Sequence, residues 1–384
     1  MLQQLHYWPR TYIQVGCIAF LVAVALMPIA IRLLGRLGVL DQVAANKIHT
    51  RPVARGGGIV IFIAFAVAVL FPNYRDNPMK GVLLGSAICL VVGAIDDIRG
   101  GIPATLKFFT LVGVTVIMSQ YGVLIRVAGS YPIDLLLTIF WVVGVTSAIN
   151  GIDNMDGLAG GISAIVSTMY LVIALQAFIA AGTETSLSWF GLLAAGLIGS
   201  NLGFLVYNTK PARIFMGDSG SFFLGFTLAA LGVMGEWSRN PVVSFSIPML
   251  ILGVPIFDFI YILVARVIRG DTRTIRQVID HCATDHLSHR LVWMGFGQYQ
   301  AVLFIYLLCV VMGVSGVLLR NSTSLVDTAL ALFQGLTIIS LVFILMAIAA
   351  RKPREQFAER EPVASATVSD IRETDNHGFK GGKS

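Results

Sequence analysis

The sequence predicts an all-α polytopic membrane protein of about eleven transmembrane helices. Three observations carry that prediction. Hydrophobic residues make up 56% of the 384, and charged residues only 12%, about half the charged share of a soluble domain. Apolar runs of roughly 17 or more residues recur along the chain, enough for helices that cross hydrocarbon. The alternating polar–apolar pattern of a membrane β-barrel is absent.

The predicted spans are 11–34, 57–72, 80–96, 104–120, 134–149, 157–181, 187–206, 219–236, 243–268, 299–319 and 326–350. The first runs into Arg32 and Arg36 without a small-residue cleavage site, so it reads as a span rather than a removed signal. Residues 121–133 (YGVLIRVAGSYPI) are β-branched and broken by glycine, and predict a small external hairpin. Cys17, Cys89 and Cys309 lie in apolar runs and suggest no disulfide framework. Residues 1–350 read as one integral membrane domain, and 351–384 as a polar, disordered cytoplasmic tail. The tail ends HGFKGGKS, which is not a phosphate loop, because His377 stands where its first glycine would be.

Orientation follows from lysine and arginine. When the loops are split into two alternating sets with their helix ends, one set carries 14 of these residues before the tail is counted and the other carries 6. The richer side is cytoplasmic by the positive-inside rule, so the N-terminus lies outside and the C-terminus inside. The net charge of +6 is thereby explained and implies no nucleic acid.

Five polar patches fall on the cytoplasmic side. They are DQVAANKIHTRPVARGGG (41–58), AIDDIRGGIPATLKF (94–108), NGIDNMDG (150–157), PARIFMGDSGS (211–221) and HCATDHLSHRL (281–291). The outer loops carry nothing comparable. Asp96 and Asp97 end an apolar helix, where carboxylates oppose the helix dipole. Neighbours on a helix point about 100° apart, so the pair makes no simple clamp. One could hold a metal or phosphate while the other orients Lys107.

Asn150, Asp153 and Asn154 would share a helical face with Asp156 near it, an oxygen-rich surface suited to Mg²⁺. Asp156 could instead cap the next helix. Asp218 and Ser219 could cap a helix or bring a metal to a phosphate at its N-terminus. Lys47, His49, Arg51 and Arg55 form a basic loop suited to anions. His286, His289 and Arg290 would share another helical face, and phosphate binding by imidazole and guanidinium is favoured there. A zinc site including His281 and Cys282 matches no standard ligand pattern. Metal ligands, bases and cations on one interface point to phosphoryl transfer, and the membrane frame implies a lipid reactant.

AIDDIRG, NGIDNMDGLAGG, ARIFMGDSGS and a histidine-bearing fourth inner loop, in this order, resemble the polyprenyl-phosphate N-acetylhexosamine-1-phosphate transferases over nearly all of residues 11–350. The resemblance implies ten or eleven membrane helices and a cytoplasmic active site. The implied reaction is attack of undecaprenyl phosphate on a UDP-N-acetylhexosamine, with Mg²⁺ required and Mn²⁺ a substitute. Asp96, Asp97, Asp153 and Asp156 would be catalytic. Asp218 and Asn150 would serve the metal. Lys47, His49, Arg51, Lys107, Asn150, Asn154, His286, His289 and Arg290 would serve substrates. HLSHR separates its histidines, whereas the muramoyl-pentapeptide branch has adjacent ones. The chain is therefore more similar to enzymes that begin O-antigen, enterobacterial common antigen or teichoic acid linkage units. N-acetylglucosamine is the first expectation for the sugar, and N-acetylgalactosamine or an unusual amino sugar the next. A homodimer is a possible assembly.

The rival from another class is a transporter, whose site should lie near mid-membrane. Asp258, inside the ninth span, is the residue it would use; an internal polar contact is the alternative. An intramembrane prenyltransferase would not need the GDSG and HLSHR loops. A CDP-alcohol phosphotransferase would need an arginine that DGLAGG lacks.

Overall fold

The computed structural model describes residues 2–42, 51–73, 76–181, 188–234, 241–269, 286–320, 322 and 324–350. Among the described residues, each predicted apolar segment is helical over most of its length. The helices are α1 (Leu2–Leu37), α2 (Gly57–Leu70), α3 (Asn77–Arg99), α4 (Ala104–Gln120), α5 (Tyr131–Gly151), α6 (Leu158–Ala181), α7 (Ser188–Asn208), α8 (Gly217–Val233), α9 (Pro241–Ile251), α10 (Gly253–Arg269), the short α11 (Leu287–Trp293), α12 (Gln298–Arg320) and α13 (Leu325–Ala350). Among the described residues, seven helices are long and apolar enough to cross a membrane, and the α9–α10 pair makes an eighth if counted as one span. The helices α2, α4 and α8 have 14, 17 and 17 residues.

The ninth predicted span is bent rather than continuous: its two halves meet at 83°. Pro255 explains the break, because it has no N–H and its ring collides with the carbonyl four residues back, at Ile251. In the first turn of α10 the same proline is tolerated.

The expected external hairpin does not form. Residues 121–130 are turns and irregular chain, and Tyr131 opens α5. Side chains of α5 hold this segment instead. Thr138 Oγ1 accepts from Ile125 N, and Asp134 Oδ1 accepts from Val127 N and Ala128 N at 3.1 and 2.8 Å. Local capping by α5 satisfies donors that a hairpin ladder would have used.

Strands occur elsewhere. Leu40–Asp41 (β1), Val53–Arg55 (β2) and Ile214–Phe215 (β3) form one small sheet, antiparallel between β1 and β2 and parallel between β2 and β3. The register sets Arg55 opposite Phe215, three residues before Asp218.

The central element is α8. All its residues except Asp218 are buried, and it packs on α2, α3, α5 and α6. A helix apolar on every face suits only such a place. Small residues let its neighbours approach. At Gly58 an added Cβ would lie 2.1 Å from the Gly220 backbone, which accounts for part of the glycine run after Arg55.

Candidate active site

The first turn of α8 gathers the acidic residues. The carboxylate of Asp97, reaching across from α3, accepts from Asp218 N at 2.8 Å and Ser219 N at 3.0 Å. The cap of α8 therefore comes from another helix, not from Asp218 or Ser219. Gly217 makes room: its φ is +74°, and a Cβ there would lie 2.4 Å from Asp97 Oδ2. Arg55, delivered by β2, pairs with Asp97, its Nε 2.8 Å from Oδ1, and donates from a terminal nitrogen to Asp218 Oδ1 at 3.1 Å. Lys107, from α4, meets Asp96 Oδ1 at 3.1 Å and Asp218 Oδ2. Asp96 Oδ1 also accepts from Ile102 N at 2.7 Å, which folds the α3–α4 turn back over the site.

Carboxylate oxygens of Asp96, Asp97 and Asp218 consequently lie within 4.8 Å of one another. The expected division of the adjacent pair is seen in part: Asp96 meets Lys107, yet both carboxylates also reach Asp218. Their Cβ directions diverge, but Lys107 and Arg55 draw both side chains toward Asp218. Three converging hard oxygen donors fit Mg²⁺. Burial opposes the charge of Arg55, but Asp97 and Asp218 outweigh it and lift its pKa above the ordinary arginine value.

The α5–α6 loop does not present one ligand surface. The helix ends at Gly151, and the turns beyond it send the side chains apart. Asn150 donates to Ser221 Oγ at 2.9 Å, which ties this loop to the start of α8. Asn154 donates to Gly151 O and accepts from Ser288 Oγ at 2.6 Å, joining this loop to α11. Asp156 accepts from Ala212 N at 3.1 Å, so its carboxylate ties two loops together. Asp153 meets the cluster through charge. Removal from water, reinforced by Asp218, pushes its carboxyl up to about 7 despite Arg55.

The expected shared face of His286, His289 and Arg290 also fails. His286 is the N-cap residue of α11 with extended backbone, so helical spacing does not apply to it. Its Nδ1 lies 2.8 Å from Asp258 Oδ2, and its ring packs on Gly151. Arg290 is buried; it donates to Met346 O at 2.9 Å and stacks 5.3 Å from the centroid of Tyr261. Neither of these two contacts is with the carboxylate cluster. His289 is half-buried on α11, and Arg51 is exposed just before β2. Lys47, His49, His281, Cys282 and the tail lie outside the described residues.

Sequence reasoning placed Arg55 in the basic loop but not among the site residues. Its position directly before three glycines was the available signal. Ser221 was also missed; it lies three residues after Asp218, on the first turns of α8.

The described parts of all five polar patches thus meet in one connected network at one end of a helical bundle. Such an arrangement defines a class: a polytopic membrane protein with a carboxylate-rich, cation-bridged site suited to phosphate chemistry. Residues 79–236 match glycosyl transferase family 4. The chain is also 33% identical over 320 residues to the probable undecaprenyl-phosphate N-acetylglucosaminyl 1-phosphate transferase of Bacillus subtilis, covering 80% of this chain and 84% of that protein. It belongs to this family of polyprenyl-phosphate sugar-phosphate transferases. The decaprenyl-phosphate N-acetylglucosaminephosphotransferase of Mycolicibacterium smegmatis is 28% identical over 303 residues, 71% of this chain and 73% of that protein. The phospho-N-acetylmuramoyl-pentapeptide-transferase of Symbiobacterium thermophilum is 33% identical over 250 residues, 57% and 72% respectively.

Proposed function

We propose that the protein transfers N-acetylglucosamine-1-phosphate from UDP-N-acetylglucosamine to undecaprenyl phosphate at the cytoplasmic face of the inner membrane. An oxygen of the lipid phosphate bonds to the sugar-linked phosphorus. The bond from that phosphorus to the bridging oxygen breaks, and UMP leaves with that oxygen. The lipid-diphosphate sugar would begin a cell-envelope polysaccharide. The observation that carries this reading is the convergence of Asp96, Asp97 and Asp218 with Arg55 and Lys107 at one bundle end. The names of the relatives point the same way. About eleven crossings with the N-terminus outside would put this end in the cytoplasm.

Asp218, Asp96 and Asp97 would hold Mg²⁺, with Asn150 of the neighbouring loop as a further candidate donor. When bound, the ion would neutralise charge on the diphosphate. Lys107 and Arg55 bridge the carboxylates, and as cations beside the site they would also serve to bind phosphate oxygens. Asp153 faces this centre and is the residue best placed to receive a proton. The lipid phosphate is largely ionised near neutrality, so positioning it contributes more than deprotonating it. Asn154 and Asp156 hold the loop that carries Asp153. His286, and His289 on the helix that it caps, serve the nucleotide sugar.

Asp258, the residue a transporter would need, is engaged at this same site through His286. The test is direct. Purified protein in detergent is given undecaprenyl phosphate and a panel of UDP-sugars, including UDP-N-acetylgalactosamine and UDP-N-acetylmuramoyl-pentapeptide, with and without Mg²⁺. Release of UMP with UDP-N-acetylglucosamine, only with Mg²⁺, is expected. Release with the muramoyl substrate alone would move the chain to that branch, and none with any sugar would end the enzymatic reading.

A further inference from the structure

Asp258 sits in the second turn of α10, just beyond the bend, with 2% of its surface exposed. A buried carboxylate in a membrane helix is costly without partners, and both of its oxygens have one. Oδ1 accepts from Leu287 N at 2.8 Å and Oδ2 lies 2.8 Å from His286 Nδ1. The first bond caps α11. The second fixes the imidazole.

The opposite side of the ring meets α5. A Cβ on Gly151 would lie 2.8 Å from His286 Cε1 and 3.5 Å from Nε2, so a side chain there would displace the ring from this position. Gly151 is adjacent in sequence to Asn150, whose amide donates to the first turns of α8. The imidazole is thus clamped between a carboxylate on one side and a bare helix end on the other.

We infer that Asp258 is a positioning residue that holds the Nδ1–H tautomer of His286, leaving Nε2 over the end of α5 as the working nitrogen toward the nucleotide sugar. A carboxylate only accepts hydrogen bonds, so the proton must lie on Nδ1 and the lone pair of the neutral ring on Nε2. The use of that nitrogen rests on the function proposed above, whereas the tautomer does not.

The full chain, with ¹⁵N-labelled histidine, is placed in detergent micelles. Long-range ¹H–¹⁵N correlation then distinguishes the two tautomers, and the His286 signal is identified by its loss in His286→Gln. Wild type is expected to show Nδ1–H. Asp258→Asn keeps a carbonyl oxygen for Leu287 N but offers N–H to the ring, so the proton should move to Nε2. Asp258→Glu should restore Nδ1–H. An Nε2–H ring in wild type, or an unchanged tautomer in Asp258→Asn, overturns the inference whether or not any sugar is turned over.

Kinetics then tests the use of the nitrogen. Asp258→Asn should lower kcat/KM for UDP-N-acetylglucosamine by about 10- to 100-fold, the scale for losing a partner that orients a ligand-binding histidine, and leave KM for undecaprenyl phosphate unchanged. Added to His286→Ala, it should cause no further loss; additive losses would show a purely structural carboxylate. Gly151→Ala should reproduce the defect with Asp258 intact, and full turnover by that variant would overturn the placement of the ring.

Discussion

Two helix starts at the site are capped alike and serve different ends. At α8, Asp97 from α3 accepts two backbone N–H groups and the side chain of Arg55. At α11, Asp258 from α10 accepts one backbone N–H and engages His286. In both, a buried carboxylate meets the positive end of a neighbouring helix and keeps oxygen capacity for a side chain. The side chain makes the difference. Guanidinium is always charged, so the Asp97 cap fixes charge beside Asp218. Imidazole has two distinct nitrogens, so the Asp258 cap decides what the other nitrogen can do. One kind of packing contact therefore organises charge at one helix and hydrogen-bond direction at the other.

Asp97→Asn breaks the first cap and should have the largest effect. It removes the partner of Arg55 and turns an N–H toward the donors of α8. A loss on the order of 3 kcal/mol follows from breaking a buried ion pair, together with a roughly thousandfold fall in turnover, as for other pre-organised electrostatic groups. Thermal unfolding in detergent and UMP release measure the two. Unchanged stability would mean that the fixed charge is dispensable to α8.

Asp153→Asn sharpens the comparison on the charged side. The Asp153 carboxyl is pushed up to about 7, so it is largely protonated below that pH and ionised above it. Wild-type turnover should rise with pH toward an inflection near 7, by up to about tenfold per pH unit on the acid side. The variant should be slow and lack that inflection. Raising Mg²⁺ should shift the wild-type inflection to lower pH, because a cation favours the ionised form. A profile that keeps its inflection in Asp153→Asn would assign it to another group.

Arg290→Lys should have the smallest effect on catalysis. Lysine loses the stacking on Tyr261 and the guanidinium bond to Met346 O. About 1–2 kcal/mol of stability should go with that bond, while KM for the UDP-sugar stays within a factor of about two. A tenfold rise in KM would return Arg290 to the substrate.

The apolar segments were legible because each is continuous in sequence and its residues answer to hydrocarbon alone. The polar patches were legible because charge and amide are conspicuous in a greasy chain. Side-chain direction was not. Helical spacing grouped Asn150 with Asp153 and Asn154, and His286 with Arg290, but α5 stops at Gly151 and His286 stands outside α11. The 83° bend at Leu252 was foreshadowed by Pro255 and read through only because the flanking residues are uniformly apolar.

By itself, the sequence determined a bundle of membrane helices with its unusual polar residues on one set of loops. The reason is that backbone polar groups in lipid must be satisfied within each helix, which leaves a long apolar signature. Only the tertiary structure decided which carboxylate faces which partner. Asp97 meets Ser219 across 122 positions, and Asp258 meets Leu287 across 29. A carboxylate's role is set by the donors that reach it, and chain packing, not sequence spacing, brings them there.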